Sequence, residues 1–488
     1  MKSLPVKPIP FVIGLVLFCL IAFLDSPLHH YGEFGARPAY AAATALMMAI
    51  WWLTEALPIY YTACVPLILF PLLGVFGKGL AGDTWDAVKP YLDPYIFLFA
   101  GGMCIAAAMQ QWGLHRRIAL KVMSAIGTEP KRLLLGFLCA TAFVSLWISN
   151  TATAAMMLPI GIAIVSQLEH QLRRERLPFY GMAIMLAIAY GSNIGGIGTK
   201  IGTAPNAQFY GFMSQMGVEI SFLQFMAVGL PFVLMMLPVA WYMLWRVARK
   251  DGLKDDIKRD IIADELRALG QIKREEQKVL LVFILTAAAW IFAKELADLL
   301  RPVIAEKLTT AHIEGGVSTV AALALIAMRS RGKQLLTGAS LKTVPWETLL
   351  LLGGGFAMAA GIQNSGLSGW IADQLVALRT LTEFSQILLT SFSSVGLSAV
   401  ASNTATTAVM LAVIRDTVSP AIVNSALFTV TLAASCDFAL PAGTPPNAIV
   451  FGSGYVTIPQ MARTGVLLDI IAGLLVALWC YLIVPVIL

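Results

Sequence analysis

Long apolar stretches separated by short polar segments run through the whole chain of 488 residues. A helix of about 20 apolar residues crosses the roughly 30 Å hydrocarbon core of a bilayer. The stretches are continuously apolar, without strict alternation of apolar and polar positions, so they predict transmembrane helices and not a membrane β-barrel. We predict eleven spans, near residues 10–25, 38–56, 59–77, 93–111, 180–216, 220–245, 279–297, 313–328, 347–363, 424–456 and 462–487.

Two further apolar stretches, 133–168 and 384–414, have polar centres rich in small residues. Basic residues of membrane proteins concentrate in cytoplasmic loops. With a cytoplasmic N-terminus, the basic residues of 115–132, 173–176 and the polar loop 246–278 all fall inside only if 133–168 returns to its starting side. We therefore predict two re-entrant hairpins in an inner (plasma) membrane protein whose C-terminus lies outside.

Composition supports a chain surrounded by lipid. Hydrophobic residues make up 58% of the sequence and charged residues only 13%, whereas soluble proteins are about a quarter charged. The six cysteines lie in apolar segments without a CxxC spacing, which argues against a zinc site or a disulfide framework. We expect the lipid bilayer as a partner, and neither a cofactor nor a nucleic-acid partner.

The chain contains an internal repeat of three blocks in the same order. Seven positions of 97–114 match 349–367, and Ser-Asn-Thr-Ala-Thr at 149–153 recurs at 402–406, both with a separation of 253 residues. Gly-Thr-x-Pro-Asn at 202–206 recurs at 443–447. In the predicted topology the first copy starts inward and the second outward, so the repeat is inverted. Inverted repeats with broken helices are typical of alternating-access carriers that bind at the repeat interface.

The repeated motifs offer oxygen atoms and free backbone groups inside the membrane. Proline removes a backbone donor, so Gly-Thr-x-Pro-Asn leaves carbonyls uncoupled within a span. Carbonyl, hydroxyl and amide oxygens suit a hard cation such as Na+, while NH groups and helix N-termini suit a carboxylate. Two symmetric copies therefore suggest two cation sites beside one shared anion site.

Two other functional classes are alternatives. A membrane enzyme would need catalytic motifs, and no Walker A, HExxH or GxSxG pattern occurs in the apolar core. A channel could use a duplicated pore loop, but its filter would not need two broken spans.

The sequence resembles the divalent anion/sodium symporter family, which carries dicarboxylates, citrate or sulfate. The resemblance includes WWLTEALP at 51–58, both SNT motifs, GTAPN at 202–206 and the segment 435–454. It implies a homodimer with scaffold domains and elevator-type transport domains. The expected parts are N-terminal scaffold helices (1–92), a first repeat (93–245), a cytoplasmic polar loop (246–278), further scaffold helices (279–345) and a second repeat (346–488).

The resemblance also implies site residues. The first sodium site would use Ser145, Ser149, Asn150 and Gly202, and the second would use Ser398, Ala401, Asn403 and Gly443. The anion would contact Asn150, Thr151, Thr203, Asn403, Thr404 and Thr444. The expected cargo is a di- or tricarboxylate such as succinate, malate or 2-oxoglutarate, moved by sodium symport. Sodium-independent dicarboxylate exchange and a sulfate or tartrate carrier are the alternatives.

Four positions depart from the family pattern. Ser398 replaces the expected Thr, and Gly443 replaces the usual Ala. Lys200 and Asp437 are charged where sodium-coupled members are neutral, and charges within a membrane point to function. Both are candidate coupling residues. The alternatives are a mutual structural ion pair or a lysine whose side chain extends to the membrane interface. The hypothesis is that Lys200 offsets part of the anion charge and so sets the sodium requirement.

Overall fold

The computed structural model describes residues 6–253, 261–304 and 307–488. These residues form helices joined by short loops, with one small hairpin of strands in which Arg329 pairs with Gln334. The structure is an all-α polytopic membrane fold. Strands are β1 (Arg329–Ser330) and β2 (Lys333–Gln334).

The α-helices of the first part of the chain are α1 (Pro8–Phe23), α2 (Arg37–Thr54), α3 (Ile59–Thr62), α4 (Val65–Leu73), α5 (Gly79–Val88), α6 (Pro94–Gln111), α7 (Leu114–Ile126), α8 (Pro130–Ser145), α9 (Asn150–Gln171), α10 (Pro178–Gly196), α11 (Ala204–Gln215), α12 (Phe222–Ala248) and α13 (Ile261–Leu269). The remaining helices are α14 (Arg274–Ile291), α15 (Ala293–Leu300), α16 (Thr310–Ala327), α17 (Gly338–Leu341), α18 (Glu347–Asn364), α19 (Leu367–Gln374), α20 (Val376–Arg379), α21 (Glu383–Ser398), α22 (Asn403–Thr417), α23 (Val423–Ala434), α24 (Pro445–Phe451) and α25 (Ile458–Ile487).

Several predicted spans are shorter or more broken than one straight helix. By length and composition, five helices of the described chain can cross a membrane, or six if the pair α14–α15, bent by 71°, counts as one span. The predicted span 59–77 consists of α3 and α4, with Pro66 in the first turn of α4 and Pro71 inside it. The spans 180–216 and 424–456 are broken at 197–203 and 435–444. Proline and glycine at the breaks account for these interruptions.

Both predicted hairpins return to the end at which they start. The Tyr180 hydroxyl donates to Pro130 O (2.9 Å) at the start of α8, and Leu177 N donates to Glu169 Oε1 (2.9 Å) near the end of α9. In the second copy, Gln386 at the start of α21 bonds to Ser419 just after α22 through both of its amide atoms. Although α9 alone is long enough to span a membrane, these contacts give each α-helical pair the shape of a hairpin.

The segments predicted to be cytoplasmic contact one another on one face of the molecule. Arg116 pairs with Glu265 (2.6 Å) in α13, and Arg117 pairs with Glu276 (2.6 Å) at the start of α14. Arg174 donates to the backbone of Asp251 (2.5 Å). The polar loop 246–278 therefore lies against the two basic segments that the charge pattern assigned to its side; its residues 254–260 lie outside the described part.

Helix α10 forms the centre of the fold. It is buried from Tyr180 to Gly196. It packs against α8 and α9, which are the two arms of the first hairpin, and also against α12 and α24. A helix that is apolar around its whole circumference is stable only when protein or lipid surrounds it. Its C-terminal end, at the break, consequently lies deep inside the protein.

Candidate functional site

A cavity of about 510 Å³ lies where the two hairpin tips and the two broken spans meet. All six residues predicted to contact the anion line it. So do Ser149, Gly202 and Gly443 of the predicted sodium sets, while Ser145, Ser398 and Ala401 lie buried outside its lining. From the two copies of the SNT tripeptide and of the Gly-Thr pair, the lining includes Ser149, Asn150, Thr151, Gly202, Thr203, Ser402, Asn403, Thr404, Gly443 and Thr444. The structure thus brings the two copies of both motifs to one place.

The first hairpin tip holds a converging set of oxygen atoms. One terminal atom of the Asn150 amide lies 2.9 Å from Ser145 Oγ, 3.1 Å from Ser192 O and 3.3 Å from Gly202 O. If the amide nitrogen takes this place, its two N–H groups have these three acceptors within reach. If the amide oxygen takes it, four oxygens converge, which is the donor set that a hard cation prefers. The predicted sodium ligands around Asn150 therefore fit a cation chemically.

The second hairpin tip repeats this arrangement. The Ser398 hydroxyl donates to Asn403 Oδ1 (2.8 Å) and to Ala434 O (2.6 Å). In the first copy, Ser145 makes the corresponding contacts to Asn150 Oδ1 (2.9 Å) and Ser192 O (2.8 Å). The replacement of threonine by Ser398 thus keeps the hydroxyl in use.

The asparagine of each Gly-Thr-x-Pro-Asn motif bridges its own helix break. Asn206 Nδ2 donates to Gly196 O (2.9 Å) and Thr199 O (2.6 Å). Asn447 Nδ2 donates in the same way to Asp437 O (3.3 Å) and Leu440 O (3.0 Å). Because buried carbonyls need partners, these side chains hold the two unwound segments in matching conformations.

The described lining of the cavity combines several helix N-termini with one acidic side chain. The N-termini of α9, α11 and α22 begin at lining residues, and helix N-termini carry partial positive charge. Among the described residues that line the cavity there is no Lys, Arg or His, and Glu347 is the only charged side chain. A dianion here would meet amides, hydroxyls and helix ends, but no fixed cationic side chain.

Lys200 lies outside the cavity lining and pairs with Glu314, not with Asp437 as the sequence suggested. Its ammonium bonds to both carboxylate oxygens of Glu314 (2.9 and 2.8 Å) and to Ile220 O (2.6 Å), and it lies 4.0 Å from the centre of the Tyr210 ring. Both side chains of the pair are fully buried. The alternative of a mutual Lys200–Asp437 ion pair is therefore wrong. Glu314 lies on α16, outside both repeats, and cancels the Lys200 charge.

Asp437 lies in the second helix break and also lies outside the cavity lining. It is fully buried, and neither carboxylate oxygen has a hydrogen-bond partner among the described residues. Its backbone carbonyl is used, since it accepts from Asn193 and Asn447. Burying an ionised carboxylate without a partner is costly, so this side chain is an unsatisfied group near the site.

Comparison with protein families matches residues 7–486 to the sodium:sulfate symporter transmembrane region. The chain belongs to this family. It is 36% identical over 487 residues to the sodium-dependent dicarboxylate transporter SdcS of Staphylococcus saprophyticus, covering 97% of this chain and 91% of that protein. It is 34% identical to SdcS of Staphylococcus aureus strain USA300 over 490 residues, covering 98% and 92%. These similarities confirm the family resemblance, and they identify a membrane transporter and not an enzyme.

The fold of this sodium:sulfate symporter family member also resembles a solved structure. The YdaH transporter of Alcanivorax borkumensis aligns with a TM-score of 0.53 at 12% identity, over 87% of this chain and 96% of that one. At this identity the likeness concerns the fold alone, and it agrees with an all-α polytopic transporter.

Several polar residues of the family member's cavity escaped the sequence analysis, namely Gln110, Asn193, Thr343, Glu347 and Thr348. Asn193 lines the cavity and donates to Thr444 Oγ1 (3.1 Å), so it links the first repeat to the second. Glu347 lines it from the start of α18. The motif search could not find Asn193 because the position related to it by the 241-residue separation is Ala434. The available signal was an asparagine in the last turn of a buried apolar helix, just before the break.

Proposed function

We propose that this chain is a sodium-coupled carrier of C4- to C5-type dicarboxylates. The observation that carries the proposal is the shared cavity of the two SNT and two Gly-Thr-x-Pro-Asn motifs, whose described lining offers oxygens and amides but no basic side chain. The names of the SdcS relatives, which cover nearly the whole chain, support both the sodium dependence and the dicarboxylate cargo.

Charge compensation favours symport over exchange. A dicarboxylate that crosses the membrane must have its two negative charges offset, because ions are poorly solvated in hydrocarbon. The Lys200 charge is already cancelled by Glu314, so it does not replace cations from solution. Two oxygen clusters, one at each hairpin tip, supply places where sodium would bind beside the anion.

The decisive experiment is uptake of labelled succinate into proteoliposomes. One set contains no dicarboxylate and receives an inward sodium gradient, and a matched set receives choline. Symport predicts accumulation above equilibrium in sodium alone. Accumulation that needs internal succinate and ignores sodium would instead establish exchange. External malate, 2-oxoglutarate, citrate, tartrate and sulfate as competitors define the cargo, and protein-free liposomes are the control.

The architecture implied by the family resemblance is part of the same proposal. We infer a homodimer in the plasma membrane, with a cytoplasmic N-terminus and an elevator-like movement of hairpins and broken spans against the scaffold. Light scattering of the purified protein should give twice the 52.5 kDa monomer mass; a monomer would contradict the assembly. A cysteine replacing Ala152, which lines the cavity, should become reactive alternately from each side during turnover. Reactivity from one side only would contradict alternating access.

A further inference from the structure

The carboxylate of Asp437 occupies space that a side chain at position 443 would need. A Cβ atom built on Gly443 would lie 1.6 Å from Asp437 Oδ2 and 2.5 Å from Cγ. Such a distance is impossible between non-bonded atoms, so an alanine at 443 would force the Asp437 carboxylate out of the place that it occupies. The two departures from the family pattern, Asp437 and Gly443, are therefore one paired feature.

This placement puts a carboxylate directly against the second predicted cation site. Gly443 supplies one of the predicted carbonyl ligands, and Asp437 Oδ2 packs against its α-carbon. Both carboxylate oxygens lack a hydrogen-bond donor, and no ion pair to Asp437 occurs in the described ranges. The first copy has no equivalent, because the position related to Asp437 is Gly196.

Other oxygen atoms near this carboxylate are also unsatisfied. Asn193 Oδ1 and the Tyr190 hydroxyl are buried without a partner among the described residues. The Asn193 amide contacts the backbone of Asp437 (3.3 Å), and the Tyr190 ring packs edge-on against Phe438 (5.1 Å). By contrast, the neighbouring buried acid Asp469 accepts from Phe438 N (2.8 Å). A buried carboxylate whose oxygens have no hydrogen-bond partner is a group that a small hard cation would satisfy.

We propose that Asp437 is a cation-binding side chain of the second sodium site, which makes this site acidic and the first site neutral. The inference rests on the proposed sodium coupling. A carboxylate attracts a monovalent cation more strongly than a carbonyl dipole does. The second site therefore binds sodium more tightly than the first and fills before it.

Sodium binding to the full-length purified protein tests this without transport. The midpoint sodium concentration for thermal stabilisation is measured without substrate, with choline holding ionic strength constant. D437N should raise this midpoint at least tenfold, and D469N should leave it within about threefold. In the double variant D437A/G443A a methyl group fills the space that the carboxylate vacates, and its midpoint sodium concentration should equal that of D437N. This variant provides the test if D437N does not fold.

Succinate uptake against sodium concentration supplies the second readout. Suppose that sodium stabilises the wild type and drives its succinate uptake, and that D437N and D437A/G443A show both effects at the same sodium concentrations. Asp437 is then not a sodium ligand and the inference is overturned, whereas the proposed sodium coupling stands. If wild type itself shows neither stabilisation nor sodium-dependent uptake, the proposed function fails instead. A tenfold or larger shift confined to the Asp437 variants supports the assignment.

Discussion

The buried Lys200–Glu314 pair gives a prediction whose size follows from the structure. Both side chains are 0% exposed, and the ammonium contacts both carboxylate oxygens and one backbone carbonyl. Removing one partner leaves the other charge buried without compensation, which costs about 3–5 kcal/mol. Because 1.4 kcal/mol corresponds to a factor of ten, Lys200→Met or Glu314→Gln should lower the ratio of folded to unfolded protein by about 10² to 10⁴.

A thermal-denaturation series in detergent measures this effect. The fraction of each variant that remains monodisperse after heating is compared with that of wild type. The double variant Lys200→Met/Glu314→Gln leaves no buried charge and should recover most of the loss. Arg301→Met is the control, because its pair with Asp298 is exposed and such pairs contribute about 0–1 kcal/mol.

The same variants decide whether Lys200 sets the sodium requirement. The pair is neutral overall, so the folded double variant should keep the wild-type sodium dependence of succinate uptake. Two results would refute the reasoning. If the single variants are as stable as the Arg301→Met control, the Lys200–Glu314 pair does not stabilise the fold. If the double variant loses the sodium dependence of succinate uptake, Lys200 does act in sodium coupling.

Two further predictions concern the hairpins and the helix breaks. The variant Arg173→Cys, just after the first hairpin, should react with an impermeant maleimide added to inside-out vesicles but not with the same reagent added to sealed right-side-out vesicles; labelling of the right-side-out vesicles would contradict the topology. Asn206→Ala should lower thermal stability, since it leaves two buried carbonyls without their donor at about 1–3 kcal/mol per group. Asn447→Ala should lower it less, because Asp437 O keeps its bond from Asn193 and the Leu440 carbonyl is only half-buried. If both variants melt at the wild-type temperature, the asparagine side chains do not stabilise the unwound segments.

The sequence predicted the parts of the site that the repeat duplicates. The matching blocks located both hairpin tips and both broken spans, because each copy uses the same residues to form its hairpin tip and its helix break. The contacts of Ser145 and Ser398 differ by at most 0.2 Å. The anion and sodium roles of these residues remain predictions.

Features without a copy were beyond the sequence. The partner of Lys200 is 114 residues away on a helix outside the repeats, and no periodicity connects the two positions. The significance of Gly443 also required coordinates, since only packing shows that Asp437 fills the place of its missing side chain. The predicted span 59–77 is divided into α3 and α4 in the structure. Hydropathy could not predict this division, because it does not reflect the backbone donor that a proline lacks.

The central claim is that the two asparagines of the SNT motifs form one transport site. Labelled succinate uptake by Asn150→Ala and Asn403→Ala, each reconstituted at the wild-type protein level, tests it most directly. Asn364→Ala is the matched control, since Asn364 is exposed and its amide donates to Ala360 O of its own helix. The account predicts that both tip variants lose sodium-driven uptake while remaining folded and that the control transports normally. Wild-type uptake by either tip variant would contradict it.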